Sequence, residues 1–410
     1  MSPARHSLQT RMPRVLLIFP TSIQTCRWML SGILRYVHQH GPWELHIIED
    51  RQGEQKLTQV QAWGGTGIIG YVHNKAHADA VLAAGVPAVI VDPLKAYLVP
   101  SHPLSRLSRV SCDSREIGRV AADYFLERRY TNFAFVGEIN DIHWSHDRAD
   151  AFSERAAEHG FGCHIYPALT AREKNDFGVE QNRLCAWLKA LPKPVAIMAA
   201  WDVRGRQVLD ACMKAGVSVP QEAAVLSVDN DEILCETTNP PMSSIQMGAE
   251  EACYQAAQVL DGLMRGNGPR RKRVIAYGAT RVATRRSTEA IRIADPLVVK
   301  ALEFIWLNVG APMTVADVAR HLSVSRRLLE MHARKTLGRT VHDEILRVRL
   351  DRAQSLLRDT RMTINEVADA CGFAGPSHFG RRFQDAFHLT PSAFRANKAH
   401  SLTAGRTLPV

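Results

Sequence analysis

Thr363-Ile-Asn-Glu-Val-Ala-Asp-Ala-Cys371-Gly372-Phe373-Ala-Gly-Pro376-Ser377-His-Phe379-Gly-Arg381-Arg382-Phe383 encodes two short helices joined by a tight turn. Thr363 followed by Glu366 forms a capping box, which starts a helix by satisfying its free N–H groups. Ile364, Val367 and Ala368 place apolar side chains on one face. Gly372 ends that helix, because glycine enters a left-handed cap without steric cost. Pro376 and Ser377 start the next helix. Phe379 and Phe383 point inward at i, i+4, and His378, Arg381 and Arg382 point outward. An apolar inner face under a cationic outer one is what a DNA-reading helix needs.

The same design occurs upstream. Thr314 and Asp317 cap a helix, Leu322 to Val324 form a turn, and Ser325 caps a second helix whose first exposed residues are Arg326 and Arg327. Between the two units, Val341 to Arg358 reads as one amphipathic helix with Leu346, Leu350, Ala353 and Leu357 on its apolar face. At 1.5 Å per residue it is about 27 Å long. A rod of that length holds two reading helices about one DNA turn apart, roughly 34 Å. One helix-turn-helix pattern is a weak signal; a tandem pair on a connecting helix is a strong one.

Residues 296–397 resemble the DNA-binding domain of the AraC family of transcription activators. The likeness rests on Ala370-Cys-Gly-Phe373, Ser377-His-Phe379, Arg381-Arg-Phe383 and Thr390-Pro391-Ser392-Ala-Phe394-Arg395. Two positions depart from that family's pattern: Ala333 replaces a usual phenylalanine, and His388 a usual glycine. The resemblance and the helix pattern together make Arg326, Arg327, Glu330 and Met331 the exposed reading positions of the first unit. Ser377, His378, Arg381 and Arg382 are those of the second.

The totals agree with a nucleic-acid partner. The 410-residue chain carries a formal net charge of +10. From Leu297 to Val410 there are 17 Lys+Arg against 10 Asp+Glu, so most of the excess sits in the last quarter. Such a concentration suits a phosphate backbone, although a basic face can also be merely solvated. Eight cysteines are scattered without Cys-x-x-Cys or Cys/His metal spacing, which predicts reduced thiols, a cytoplasmic location, and neither metal nor cofactor. No apolar run approaches a membrane span. Val15 to Phe19 is too short for a signal-peptide core.

Through the first 290 residues short β-branched runs alternate with helical stretches. Strands are expected at Val15–Phe19, Trp43–Ile48, Gly67–Val72, Pro87–Val91, Phe133–Gly137, Val195–Ala199 and Ala224–Val228. Helices are expected at Cys26–Gln39, Ile117–Glu127, Arg148–His159, Arg204–Ala215 and Glu250–Met264. This alternation implies parallel sheets covered on both faces, and the length implies two lobes with a cleft. Ligands of such sheets bind beyond the C-terminal ends of strands. Asp113, Asp202 and Asp229 sit at such ends, and Trp144 and Arg148 follow another. Carboxylates and an arginine beside an indole suit a polyhydroxylated ligand. Asp202 and Asp229 are equally placed to cap helices, and Trp144 to fill core.

This region resembles the sugar-binding domain of the LacI/GalR repressors and of periplasmic sugar-binding proteins. The matching segments are Ser227-Val-Asp229-Asn and Thr237-Thr-Asn-Pro-Pro241-Met-Ser-Ser-Ile245. The resemblance implies ligand contacts at Asp229, Arg148 and Asp202. It makes the fold a two-lobed α/β periplasmic-binding-protein-like domain followed by an all-α tandem helix-turn-helix domain. The expected bounds are 13–286 for the sensor, 287–295 for a linker and 296–397 for the DNA-binding domain. A LacI-like sensor ahead of an AraC-like reader resembles the xylose operon activators; Leu184-Cys-Ala-Trp187-Leu188, Arg285-Arg286-Ser287-Thr288 and Asp295-Pro296 fit that order. It implies a homodimer that responds to a pentose such as D-xylose, binds a double-stranded operator and works with RNA polymerase. Two rivals remain at this level: a sugar-converting enzyme with a DNA-binding appendage, and a DNA-bridging protein whose first domain only dimerises. The histidines and aspartates show no nucleophile–base or metal spacing that would favour the enzyme.

Overall fold

The computed structural model describes residues 12–49, 64–140, 142–174, 176–269, 271–289, 295–360 and 362–395. Residues 1–11 and 396–410 and the linker residues 290–294 lie outside these. The chain divides into two compact units, Met1–Ala290 and Ile291–Val410.

The strands of the first unit are β1 (Arg14–Ile18), β2 (Glu44–Ile48), β3 (Gly67–Tyr71), β4 (Ala88–Val91), β5 (Ser108–Cys112), β6 (Phe133–Val136), β7 (Cys163–Ile165), β8 (Val195–Ala199), β9 (Ala223–Val228), β10 (Ser243–Met247), β11 (Val274–Tyr277) and β12 (Ala279–Ala283). They form two six-stranded sheets, β11-β5-β4-β3-β1-β2 and β12-β10-β9-β8-β6-β7. The pairings of the first sheet are parallel; in the second, β12 runs antiparallel to β10. Central strands read as continuous Val, Ile, Leu and Ala because both faces are covered.

The helices of this unit are α1 (Gln24–His40), α2 (Lys75–Ala84), α3 (Ser114–Glu127), α4 (His143–Ala157), α5 (Ala171–Lys174), α6 (Phe177–Ala190), α7 (Asp202–Ala215), α8 (Glu232–Glu236) and α9 (Ala249–Met264). In the first lobe α1 packs on α9, and in the second α3 packs on α4. Each pair touches through a glycine. A Cβ on Gly32 would stand 1.9 Å from the Glu250 carbonyl oxygen, and one on Gly118 2.5 Å from that of Arg148.

The chain passes between the lobes at Cys112–Ser114, Met247–Ala249 and Tyr277–Ala279. These crossings are laced together: Asp113 N–H donates to Tyr277 O (2.7 Å) and Gly248 N–H to Gly278 O (2.9 Å). Ser287 and Thr288, expected to open the linker, belong to the second lobe. Both are buried, with Ser287 Oγ bonded to Val225 O and Thr288 to Tyr124 and Ser243.

The second unit contains α10 (Pro296–Leu307), α11 (Val315–His321), α12 (Arg326–Leu337), α13 (Val341–Asp359), α14 (Ile364–Ala370) and α15 (Pro376–Phe387). Capping boxes at Thr314/Asp317 and Thr363/Glu366 start α11 and α14, and a third at Thr340/Asp343 starts α13. The rod α13 serves two cores. Val341 and Ile345 enter the first with Val318, Leu329 and Ala333, while Leu350, Ala353 and Leu357 enter the second with Phe379 and Phe383. Ala333 is buried in the space where a larger ring was the pattern. His388 takes a left-handed cap at φ 57°, a conformation glycine adopts without strain.

Candidate functional site

Asp229 ends β9 and Asp92 ends β4, one on each lobe, and both take positive φ (110° and 41°). This turn geometry aims each carboxylate off its strand end. The Asp92 carboxylate accepts from Cys112 N–H (2.7 Å) and Tyr277 O–H (2.5 Å). The Asp229 carboxylate accepts from Thr25 O–H (3.0 Å), which comes from α1 of the other lobe. Arg148, 4 % exposed on α4, donates to Ala200 O and lies 3.7 Å from Met247 Sδ. Its guanidinium carbon stands 4.7 Å from the Trp144 ring. Its Nε is buried and makes no hydrogen bond among the described residues.

Burial dominates the electrostatics here. It pushes the Asp92 carboxyl up to about 6, against the pull of Tyr277, Cys112 N–H and Arg148. Burial also raises Asp229, helped by the charge of Asp202 and opposed by Arg148. Two carboxyls held high and one arginine with a spare donor form a polar, desolvated constellation. Outside it, the lobes are bridged by Arg27–Asp231 (3.2 Å) and Lys95–Asp147 (2.9 Å).

The structure redistributes the expected residues. Arg148, Asp229 and Trp144 come together; the helix expected from Arg148 begins earlier, at His143, so Trp144 lies on α4 as well. Asp113 does not join them: it is exposed, and its carboxylate caps α3 by accepting from Glu116 N–H (2.8 Å). Asp202 neither caps a helix nor reaches the other lobe by hydrogen bonds among the described residues. It is 2 % exposed, and its oxygens accept from Ser227 O–H, Ser244 O–H and Asp231 N–H. Asp92 was missed, though it follows Val91 at a strand end by the same rule that flagged Asp229. Thr25 carried no local signal.

On the reader, Arg326, Arg327 and Met331 are exposed along α12, and Ser377 and Arg381 along α15. Glu330 is half-buried and accepts from Val341 N–H (3.2 Å), which ties α12 to the start of α13. His378 and Arg382 are half-buried and turn toward a hollow between the two helix-turn-helix units.

Residues 122–288 match the family described as a periplasmic binding protein-like domain, and residues 318–397 a helix-turn-helix domain family. The xylose operon regulatory protein of Escherichia coli (strain K12) is 28 % identical over 389 residues, 94 % of this chain and 97 % of that one. That of Haemophilus influenzae is 31 % identical over 290 residues, 70 % of this chain and 74 % of that one. The solved structure of the xylose-binding transcription activator xylR is similar at a TM-score of 0.79 and 28 % identity, covering 95 % of this chain and 99 % of that one. Fold and matches define a class: DNA-binding transcription regulators with a sugar sensor ahead of an AraC-type reader, not enzymes. Within it, the chain belongs to the family of the xylose operon regulatory proteins.

Proposed function

We propose that the sensor binds a pentose, D-xylose or a close relative, between its lobes, and that binding acts on the reader to activate transcription of a xylose-utilisation operon. The observation that carries this is the buried Arg148 Nε, without a hydrogen-bond partner among the described residues and within electrostatic reach of carboxylates from both lobes. A sugar hydroxyl both accepts from the guanidinium and donates to a carboxylate, so vicinal hydroxyls supply what the site lacks. Trp144 offers an apolar face for the C–H side of a ring. A ligand touched from both lobes favours the arrangement in which both walls reach it, and that differential affinity is the source of any conformational signal. The names of the relatives favour D-xylose. The active form is a homodimer on a double-stranded operator that contacts RNA polymerase. Titration calorimetry of the full chain with D-xylose, L-arabinose, D-ribose and D-glucose tests the reading. Saturable heat with a pentose, lost in Arg148→Ala and without turnover, supports it. No heat with any pentose refutes it.

A further inference from the structure

A hollow of about 330 Å3 separates the two helix-turn-helix units, and its titratable lining is arginine and histidine. Arg326, His342, Arg349, His378 and Arg382 line it beside Phe373, and among the described residues no carboxylate does. Two acids stand behind the wall: the Asp317 carboxylate accepts from the lining Thr314 (2.7 Å), and Asp343 lies 3.8 Å from His342. Arg349 is anchored through Nη2 to the Ala311 and Met313 carbonyls. Arg349 Nε, Arg382 Nε and His378 Nδ1 are buried and make no hydrogen bond among the described residues. Burial lowers the His378 pKa, and the charges of Arg382, Arg381, Arg349 and His342 lower it further. Cations and spare donors crowded into one concavity cost free energy unless an anion satisfies them.

We infer that this hollow is a phosphate-binding site, occupied by a DNA backbone phosphate in the stretch between the two major-groove segments read by α12 and α15. This rests on the reading of the second unit as a DNA reader. Position argues for the backbone over a free phosphate. Arg326 is the first residue of α12, and His378 and Arg382 lie in the first two turns of α15. Helices that enter the major groove by their N-terminal halves bring these walls against the strand that runs between the grooves. Arg382 and His378 then position the reader, while Arg381, exposed on the neighbouring face, is left to read a base.

The test uses the full chain, a duplex obtained by binding-site selection, and fluorescence anisotropy across a salt series. Arg382→Gln weakens selected and scrambled duplexes alike and flattens the salt slope by about one, so its deficit shrinks about threefold between 50 and 200 mM salt. Arg382→Lys restores most of the slope. Neutral methylphosphonates at single positions penalise the wild type at one or two phosphates between the groove segments, and that penalty vanishes in Arg382→Gln. Arg326→Gln, at an exposed position, carries the same expectation should Arg382→Gln lose its helical circular dichroism. An unchanged slope with one base position relaxed would make Arg382 a base reader and overturn the inference. A flat methylphosphonate profile alongside saturable inorganic phosphate binding would overturn the backbone assignment in favour of a free anion. Absence of duplex binding by the wild type would instead refute the reader itself.

Discussion

Asp92→Asn separates what the sensor needs to fold from what it needs to bind. Burial raises the Asp92 carboxyl from 3.8 to about 6. A carboxyl whose pKa rises on folding is neutral in its effect below about pH 4. It becomes unfavourable as pH climbs from about 4 to about 6, where the unfolded chain ionises while burial holds the native carboxyl protonated, and the penalty is complete above about 6. Holding the carboxyl at about 6 rather than 3.8 costs about 3 kcal/mol at pH 7 as an upper bound. Asparagine keeps the geometry. It tolerates the left-handed φ of 41°, its Oδ1 accepts from Cys112 N–H, and its NH2 meets Tyr277 O–H, which can switch from donor to acceptor. The variant therefore gains about 1–2 kcal/mol at pH 7, less than the upper bound because the new hydrogen bonds are uncharged. At pH 4 the gain disappears. D-xylose affinity falls ten- to hundredfold, the cost of a charged acceptor at about 1.5–3 kcal/mol. Six of the seven tryptophans lie in the first unit, so urea unfolding followed by tryptophan fluorescence reports the sensor. A variant less stable than wild type at both pH values would refute the reasoning, as would one that binds sugar unchanged.

Arg148→Ala and Asp229→Ala should each cost about 1.5–3 kcal/mol of sugar affinity while operator affinity without sugar stays unchanged; calorimetry and anisotropy on the same preparations check both. His388→Gly should stabilise the second unit by about 0.5–1 kcal/mol, since glycine relieves the left-handed cap but loses more chain entropy; hydrogen exchange over α15 reads this out, and no added protection there counts against it. Arg381→Ala should relax preference at one base pair by about 1–3 kcal/mol; binding-site selection with uniform loss at every position would demote it to a backbone contact.

The reader was the more legible half. Its capping boxes, the Gly372 turn and the inward Phe379 and Phe383 act within four residues, so the order of residue types suffices to place them. In α13, Leu346, Leu350, Ala353 and Leu357 do form one stripe, on the second core, but Val341 and Ile345 form another, on the first. A single helix facing two partners has two apolar faces, and neither stands out in a single periodicity.

In the sensor, the sequence by itself determined the alternation of strand and helix, the parallel sheets and the rule that strand ends bear the chemistry. Tertiary structure decided which strand ends do so. Asp113 and Asp92 obey the same local rule, yet one caps α3 in solvent and the other is pinned by Tyr277, 185 residues away along the chain. Asp229 meets Thr25 across 204 residues, and Ser287 and Thr288 close onto β9, β10 and Tyr124 instead of leaving for the linker. Local pattern is set by backbone propensity and capping over a few residues. The placing of the two carboxylates is set by three chain crossings that bring the lobes together, through contacts far apart in sequence.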